Sequence, residues 1–357
     1  MFSTPELGFE LGRDYARYGL APPACHRVPG HPVCEGWARG LPVHQQHHQR
    51  TLRVSPAVHH WLRLRLAAWL RGESVDLSTL TPDRLAQITP RLHPEGSGYC
   101  PITRCALRGL DTQPQETTAH DAQIVRVNPE LPWSGSNVMV LGRNAADALA
   151  ALPTPTKQRL RHALTIVQDI KKAKDPQRAK ILVHGLHGAQ WARLGVVLSL
   201  VTPLQHAQAA GLPLLVLPPH QLQSINPVQD LQALLSVQWL SPGWSRRRQQ
   251  IEVLMDRPQP YRALRRFLDL FVQRLLHAAR PEQPLLWRWA IEDTWRHADV
   301  LLHWQRFALQ IDADDVLKIK NHANLAFDTH LNHSNQGYLW NASYTSPSLL
   351  STPCAAP

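Results

Sequence analysis

At Ser55-Pro56, Thr81-Pro82 and Asn226-Pro227 a small polar residue stands directly before a proline, and apolar residues then return every three or four positions. Proline has its φ set for a helix and lacks only an N–H that the first turn cannot use, so each pair reads as a helix start. Val58, Trp61, Leu62, Leu66, Trp69 and Leu70 follow the first, and Gly72 closes it. Leu85 and Ile88 follow the second; Leu231, Leu234, Leu235 and Trp239 follow the third. Such spacing buries one stripe of a helix and excludes an all-β chain.

The same period predicts further helices. One runs from Thr156 to about Lys174, with Leu160, Leu164, Val167 and Ile170 on its apolar face. Trp191, Leu194, Val197 and Leu198 mark another, and helical patterns cover 261–279 and 287–307. Leu214 to Leu217 reads as a short extended or buried segment before Pro218-Pro219. Tryptophans such as Trp287 and Trp295 at helical spacing are core or interface residues. The first fifty residues, rich in Pro, Gly and His, show no sustained period and are expected to wrap irregularly. The tail from about Ser343 is expected to be disordered.

Charge narrows the classes of partner. The chain has 357 residues and a formal net charge of +11, which favours polyanions because Lys and Arg displace counterions from phosphate. Arg246, Arg247, Arg248, Arg257, Arg262, Arg265 and Arg266 form the densest basic run; it reads equally as a phosphate track or a solvated or interface surface. The basic residues around 53–71 and 157–172 read as solvated helix faces. Five cysteines at uneven spacing make no disulfide framework. Glu6, Glu10, Arg13 and Asp14 stand where a secretory signal would be apolar, and the run Leu194 to Leu204 is too short for a bilayer. A cytoplasmic location without membrane association is expected. Phosphate-loop, dinucleotide-fingerprint, HExxH and GxSxG motifs do not occur.

One stretch carries a more specific pattern. Cys100-Pro101-Ile102-Thr103 is followed by Ile124-Val125-Arg126-Val127-Asn128, then Gly135-Ser136-Asn137-Val138-Met139-Val140-Leu141, then a helix from Ala145 to Ala151. This order resembles the ββα-metal core of HNH-type nucleases. It is also similar to uncharacterised proteobacterial proteins in which a Val-Asp-Arg-hydrophobic-Asn strand leads to a Gly-Asn-Leu turn and an Arg-Ala-Asn helix. The resemblance implies an asparagine, here Asn137, that braces the loop between the strands. It also implies a histidine at the end of the first strand to polarise water, and a metal ion held partly from the helix.

The chemistry-bearing positions depart from that pattern. Val125 falls where an acidic residue or histidine is expected, and Ala146 where the helix supplies His or Asn. Neither side chain accepts a proton or ligates a metal. His120 or Asp121 before the strand, and Asn144 or Asp147 on the helix, are the available substitutes. A hydrolytic centre using Mg or Mn would therefore rest on His120, Asp121, Asn137 and Asp147. Arg104, Arg108, Arg126 and Arg143 are the expected phosphate contacts, because guanidinium forks match phosphate oxygens. The lone Cys100/Cys105 pair reads as thiols filling the module's core. The histidine groups His44/His47/His48, His59/His60 and His322/His330/His333, with Asp328, read as surface residues.

The expected architecture is mainly α with a small α+β module of HNH-like ββα type. It divides into an irregular and helical region (1–94), the module (95–150), a C-terminal helical domain (151–342) and the tail (343–357). The expected function is nucleic-acid association, with DNA or another nucleic acid as partner, through a module that has lost hydrolysis. The alternatives are a metal-dependent DNA endonuclease and a scaffold that binds a protein partner through the C-terminal helices.

Overall fold

Helices built on the expected apolar spacing carry most of the structure, and a two-stranded antiparallel sheet is set among them. The computed structural model describes residues 4–48, 55–88, 98–108, 118–172, 181–218, 222, 224–240, 244–253, 255, 257–278 and 284–319. The tail beyond 319, with His322, Asp328, His330, His333 and Cys354, lies outside the described residues, as does most of the polar stretch from His93 to Gly98. In chain order the elements are α1 (Thr4–Arg17), α2 (Pro32–His48), α3 (Pro56–Leu70), α4 (Pro82–Ile88), β1 (Ala122–Arg126), β2 (Val138–Gly142), α5 (Arg143–Ala150) and α6 (Thr156–Lys172). They continue with α7 (Gly188–Leu200), α8 (His206–Ala210), α9 (Pro227–Val237), α10 (Trp244–Val253), α11 (Pro258–Ala278), α12 (Pro284–Thr294) and α13 (Ala298–Ala308).

The three Pro-marked starts fall at α3, α4 and α9. Asn226 has a further role that its position does not reveal: its buried Nδ2 donates to the carbonyls of Ser199 (2.7 Å) and Thr202 (2.9 Å), tying the start of α9 to the end of α7. The apolar pattern over 287–307 is two helices, α12 and α13, separated by Trp295-Arg296-His297.

Residues 4–48, part of the stretch expected to wrap irregularly, are largely helical. They form a helical hairpin of α1 and α2, with Leu11, Tyr15, Ala16 and Val33 in the core. The glycines that look like breakers are what permit the packing: a Cβ at Gly12 would overlap the carbonyl of Val33, and one at Gly36 the carbonyl of Phe9. Glycine therefore lets the two backbones touch, which offsets its poor helix propensity. The hairpin rests on α3, where Arg65 is buried, ion-paired to Asp14, with its guanidinium carbon 4.5 Å from the Trp61 ring centroid. Arg65 thus departs from the solvated face expected of that helix.

Toward the C-terminus an aromatic cluster fills the space among α11, α12 and α13. Phe267, Phe271, Trp295, Trp304 and Phe307 meet neighbouring rings at centroid distances of 5.3 to 5.7 Å. Trp295 and Trp304 are core residues, and Trp295 donates its Nε1–H to Ser236 Oγ at 2.9 Å. Leu214 to Leu217 is a fully buried irregular segment, as its composition predicts. One apolar cluster of buried residues includes side chains from α1 through α13. Among the described residues no helix is long and apolar enough to cross a membrane.

Replacing Gly36 with Val is expected to destabilise the protein by about 2 kcal/mol or more, because the clash is with backbone and no rotamer relieves it. A lowered midpoint in thermal or urea unfolding, with residual helicity retained in the native baseline, is the measurement.

Candidate functional site

The stretch from 98 to 150 assembles in the order the motif suggests. Tyr99 and Ala106 bridge a tight turn closed by the Cys100 N–H to Cys105 carbonyl bond of 2.9 Å, and Cys100 is buried. Strands β1 and β2 pair with Ala122 opposite Gly142 and Arg126 opposite Val138, and α5 leaves β2 without an intervening loop. All of β2 is buried although it has one strand partner, with α5 packed against it and its residues within the apolar core.

Asn137 is the best-placed residue of the stretch. Its Oδ1 accepts from the Asn128 N–H (2.9 Å), and its Nδ2 donates to the carbonyls of Asn128 (2.9 Å) and Pro132 (3.0 Å). One buried amide therefore satisfies three backbone groups of the 128–137 loop and helps it hold one shape. Asn128 extends the brace: its Oδ1 accepts from Thr156 Oγ1 at 2.7 Å, at the start of α6. Trp133 pairs with Ser74 and Asp76 of the segment after α3, through bonds of 2.9 and 2.8 Å.

Arg126, at the end of β1, is held within the chain. Its guanidinium donates to Glu73 Oε1 (2.9 Å) and the Leu131 carbonyl (3.1 Å) and lies 5.6 Å from the Trp133 ring centroid. Burial pulls its pKa down, and Glu73 opposes that pull. Glu73 also accepts from Trp133 Nε1 (2.8 Å) and from Arg71. Val125 packs against the core and Ala146 is buried, so both side chains serve packing.

Arg104 is likewise taken up inside the chain. It sits in the left-handed region with φ 59° and donates to both Asp293 oxygens (2.6 and 3.0 Å) and to Glu292 Oε2 (3.1 Å) on α12. Glu292 is fully buried, lies 3.5 Å from Arg288 Nε, and accepts the Leu217 N–H at 3.0 Å. Arg193 of α7 donates to the Ile102 carbonyl at 3.0 Å, and burial, reinforced by the nearby Arg104, pushes its pKa down to about 10. The guanidinium forks of Arg104 and Arg126 thus face protein partners rather than solvent phosphate.

Arg108 and Arg143 flank Asp121. Asp121 accepts from the Thr118 N–H and Oγ1, both at 2.8 Å, and lies 3.6 Å from Arg143 Nη2. The Thr118 bonds hold its pKa below the usual carboxylate value, and Arg143 and Arg108 add to the effect. A carboxylate of lowered pKa is a weak base. His120 is half-buried and gives its carbonyl to the Arg108 N–H at 2.8 Å, and Asp147 is exposed on α5.

The proposed hydrolytic set is therefore brought together only in part. Asp121 and Arg143 meet where β1 begins, while Asn137 braces the other end of the strand, a separation of roughly 17 to 20 Å at the usual rise per residue. Among the described residues no three His, Cys, Asp or Glu side chains are placed to hold one metal ion. The donor set does not fit a divalent cation of the HNH kind, which needs oxygen or imidazole ligands converging on one point. The buried links from Arg65, Arg104 and Arg126 to their carboxylates carry no local sequence signal, since the partners lie 51, 189 and 53 positions away. No protein-family profile, curated protein or solved structure matches this chain.

Two outcomes are expected from these interactions. Arg104→Ala should cost about 3 kcal/mol, because it strands Glu292 in the interior, although Arg288 remains beside it; urea unfolding with the far-UV signal of the native state checks it. Asp121 should titrate below its ordinary midpoint, and Thr118→Val should move that midpoint upward in a carboxyl NMR titration. Because the folded pKa is depressed, this group adds stability above the unfolded value near pH 4, and the contribution is lost as pH falls through the folded pKa.

Proposed function

We propose that this chain is a nucleic-acid-associated protein in which an HNH-like ββα frame persists as structure and does not hydrolyse phosphodiesters. The observation that carries the reading is the fate of the strand end. Arg126 is ion-paired to Glu73 beneath Trp133, and Val125 and Ala146 are packing residues, while the Asn137 brace is complete. A frame that retains its loop brace and fills its reactive positions with core residues is suited to holding shape rather than moving protons. The charge of +11 supplies the attraction to a polyanion. Trp295 and Trp304 are buried in the core and so offer no surface to a protein partner.

The test is a duplex cleavage and binding assay with Mg or Mn, comparing wild type with His120→Ala and Asp147→Ala. Expected are salt-sensitive duplex binding and no metal-dependent cleavage in any of the three. Metal-dependent cleavage that disappears in the two variants would replace this reading with an endonuclease, and absence of duplex binding at low salt would leave the protein-interaction scaffold.

A further inference from the structure

Helix α11 presents two unlike sides. Leu264, Phe267, Leu268, Phe271 and Leu275 are buried in the aromatic core. Arg262, Arg265 and Arg266 lie on the opposite side, all exposed. At 100° per residue they fall within about a third of the helix circumference, and they span about 6 Å of its axis. Their neighbours differ from them in one respect. Arg248 on α10 is held by Glu252 and Asp269, Arg257 by Asp315, and Arg274 by Asp299. No carboxylate pairs with Arg262, Arg265 or Arg266 among the described residues. The one acidic residue on the same face, Asp269, is already engaged by Arg248 at 2.6 Å.

Three like charges at positions i, i+3 and i+4 repel one another along a helix. Beside Arg248, Arg257 and Arg274, each held by a carboxylate, that arrangement is complementary to an external row of anions. We infer that the Arg262/Arg265/Arg266 face of α11 is the surface that meets the phosphate backbone of duplex nucleic acid. The inference rests on the nucleic-acid reading above and moves the interface away from the ββα frame, whose Arg104 and Arg126 are engaged internally. A duplex backbone suits this face better than the other polyanions. No aromatic residue of α11 is exposed to stack on unpaired bases. The apolar side of the helix is committed to the core, and of its large apolar residues Leu276 alone is exposed, which is not the apolar face that a lipid surface requires. Interactions of this kind are independent of base sequence.

The experiment measures affinity of the full chain for a generic DNA duplex across a salt series. It compares wild type, the triple variant Arg262→Gln/Arg265→Gln/Arg266→Gln, and a charge-matched control on α6, Lys157→Gln/Arg161→Gln/Lys172→Gln. Unfolding midpoints verify that the substitutions at these exposed positions leave the fold intact. Expected is a slope of log affinity against log salt that is shallower by about 2.7 in the α11 variant, because each phosphate neutralised by an arginine contributes about 0.9, with a much smaller change in the α6 control. Equal reductions in both variants, or an α11 variant that binds as wild type does, would overturn this assignment while leaving nucleic-acid association standing. No duplex binding by wild type at low salt would overturn both. A parallel arm with phosphatidylglycerol vesicles decides the remaining source of anions: loss of vesicle binding with duplex binding unchanged in the α11 variant would also overturn it.

Discussion

The arrangement of this molecule depends on a carboxylate shut away from water. Glu292 is fully buried, and an unpartnered charge in such a place would cost several kcal/mol. It is tenable because three groups replace its hydration: Arg104 from the turn that precedes the sheet, Arg288 one helical turn earlier, and the Leu217 N–H. Arg288 also donates to the Leu217 carbonyl at 2.9 Å, so both backbone groups of a buried, irregular residue are satisfied from α12. The turn at 98–108, the segment at 214–217 and α12 are therefore placed with respect to one another by a single network. Asp293 and Arg193 extend it to the other branch of Arg104 and to the Ile102 carbonyl.

A second network performs the same task at the far end of β1. Glu73, from the segment after α3, gathers Arg71, Arg126 and Trp133, and the loop beneath is held by Asn137. Each network joins the sheet to a different helical region. A small two-stranded sheet cannot bury enough apolar area to stand alone, and here α5 packs on it while ion pairs of Arg126 and of Asp121 hold the two ends of β1. Arg104 and Arg126, two of the arginines expected to contact phosphate, are used as attachments instead. Burial and catalysis make opposite demands on an arginine or carboxylate: the first needs fixed internal partners, the second needs a group left open to substrate.

Much of the helical framework was legible along the chain. Proline after Ser55, Thr81 and Asn226 marked three starts because proline's geometry suits one end of a helix only, and the apolar period at 156–172 and 261–278 reported buried faces directly. The hairpin of α1 and α2 was not legible. Gly12 and Gly36 read locally as breakers, and their value appears only when a second backbone lies against them. In the candidate site, the apolar character of Val125 and Ala146 and the bracing position of Asn137 followed from the pattern. The engagement of Arg65, Arg104 and Arg126 did not. A guanidinium reads as a surface cation until its carboxylate is known, and each partner is distant in sequence.

By itself the sequence determined that the chain is mainly helical and strongly basic, and that the residues at 125, on β1, and 146, on α5, are apolar. These are local properties, set by side-chain type and by spacing along the chain. Only the tertiary structure decided which charges are internal and which remain outside. Arg104 and Arg126 meet carboxylates brought from remote segments, whereas Arg262, Arg265 and Arg266 are exposed with no carboxylate partner among the described residues. Coulomb attraction acts through space rather than along the chain, so the availability of a cation is a property of the folded arrangement.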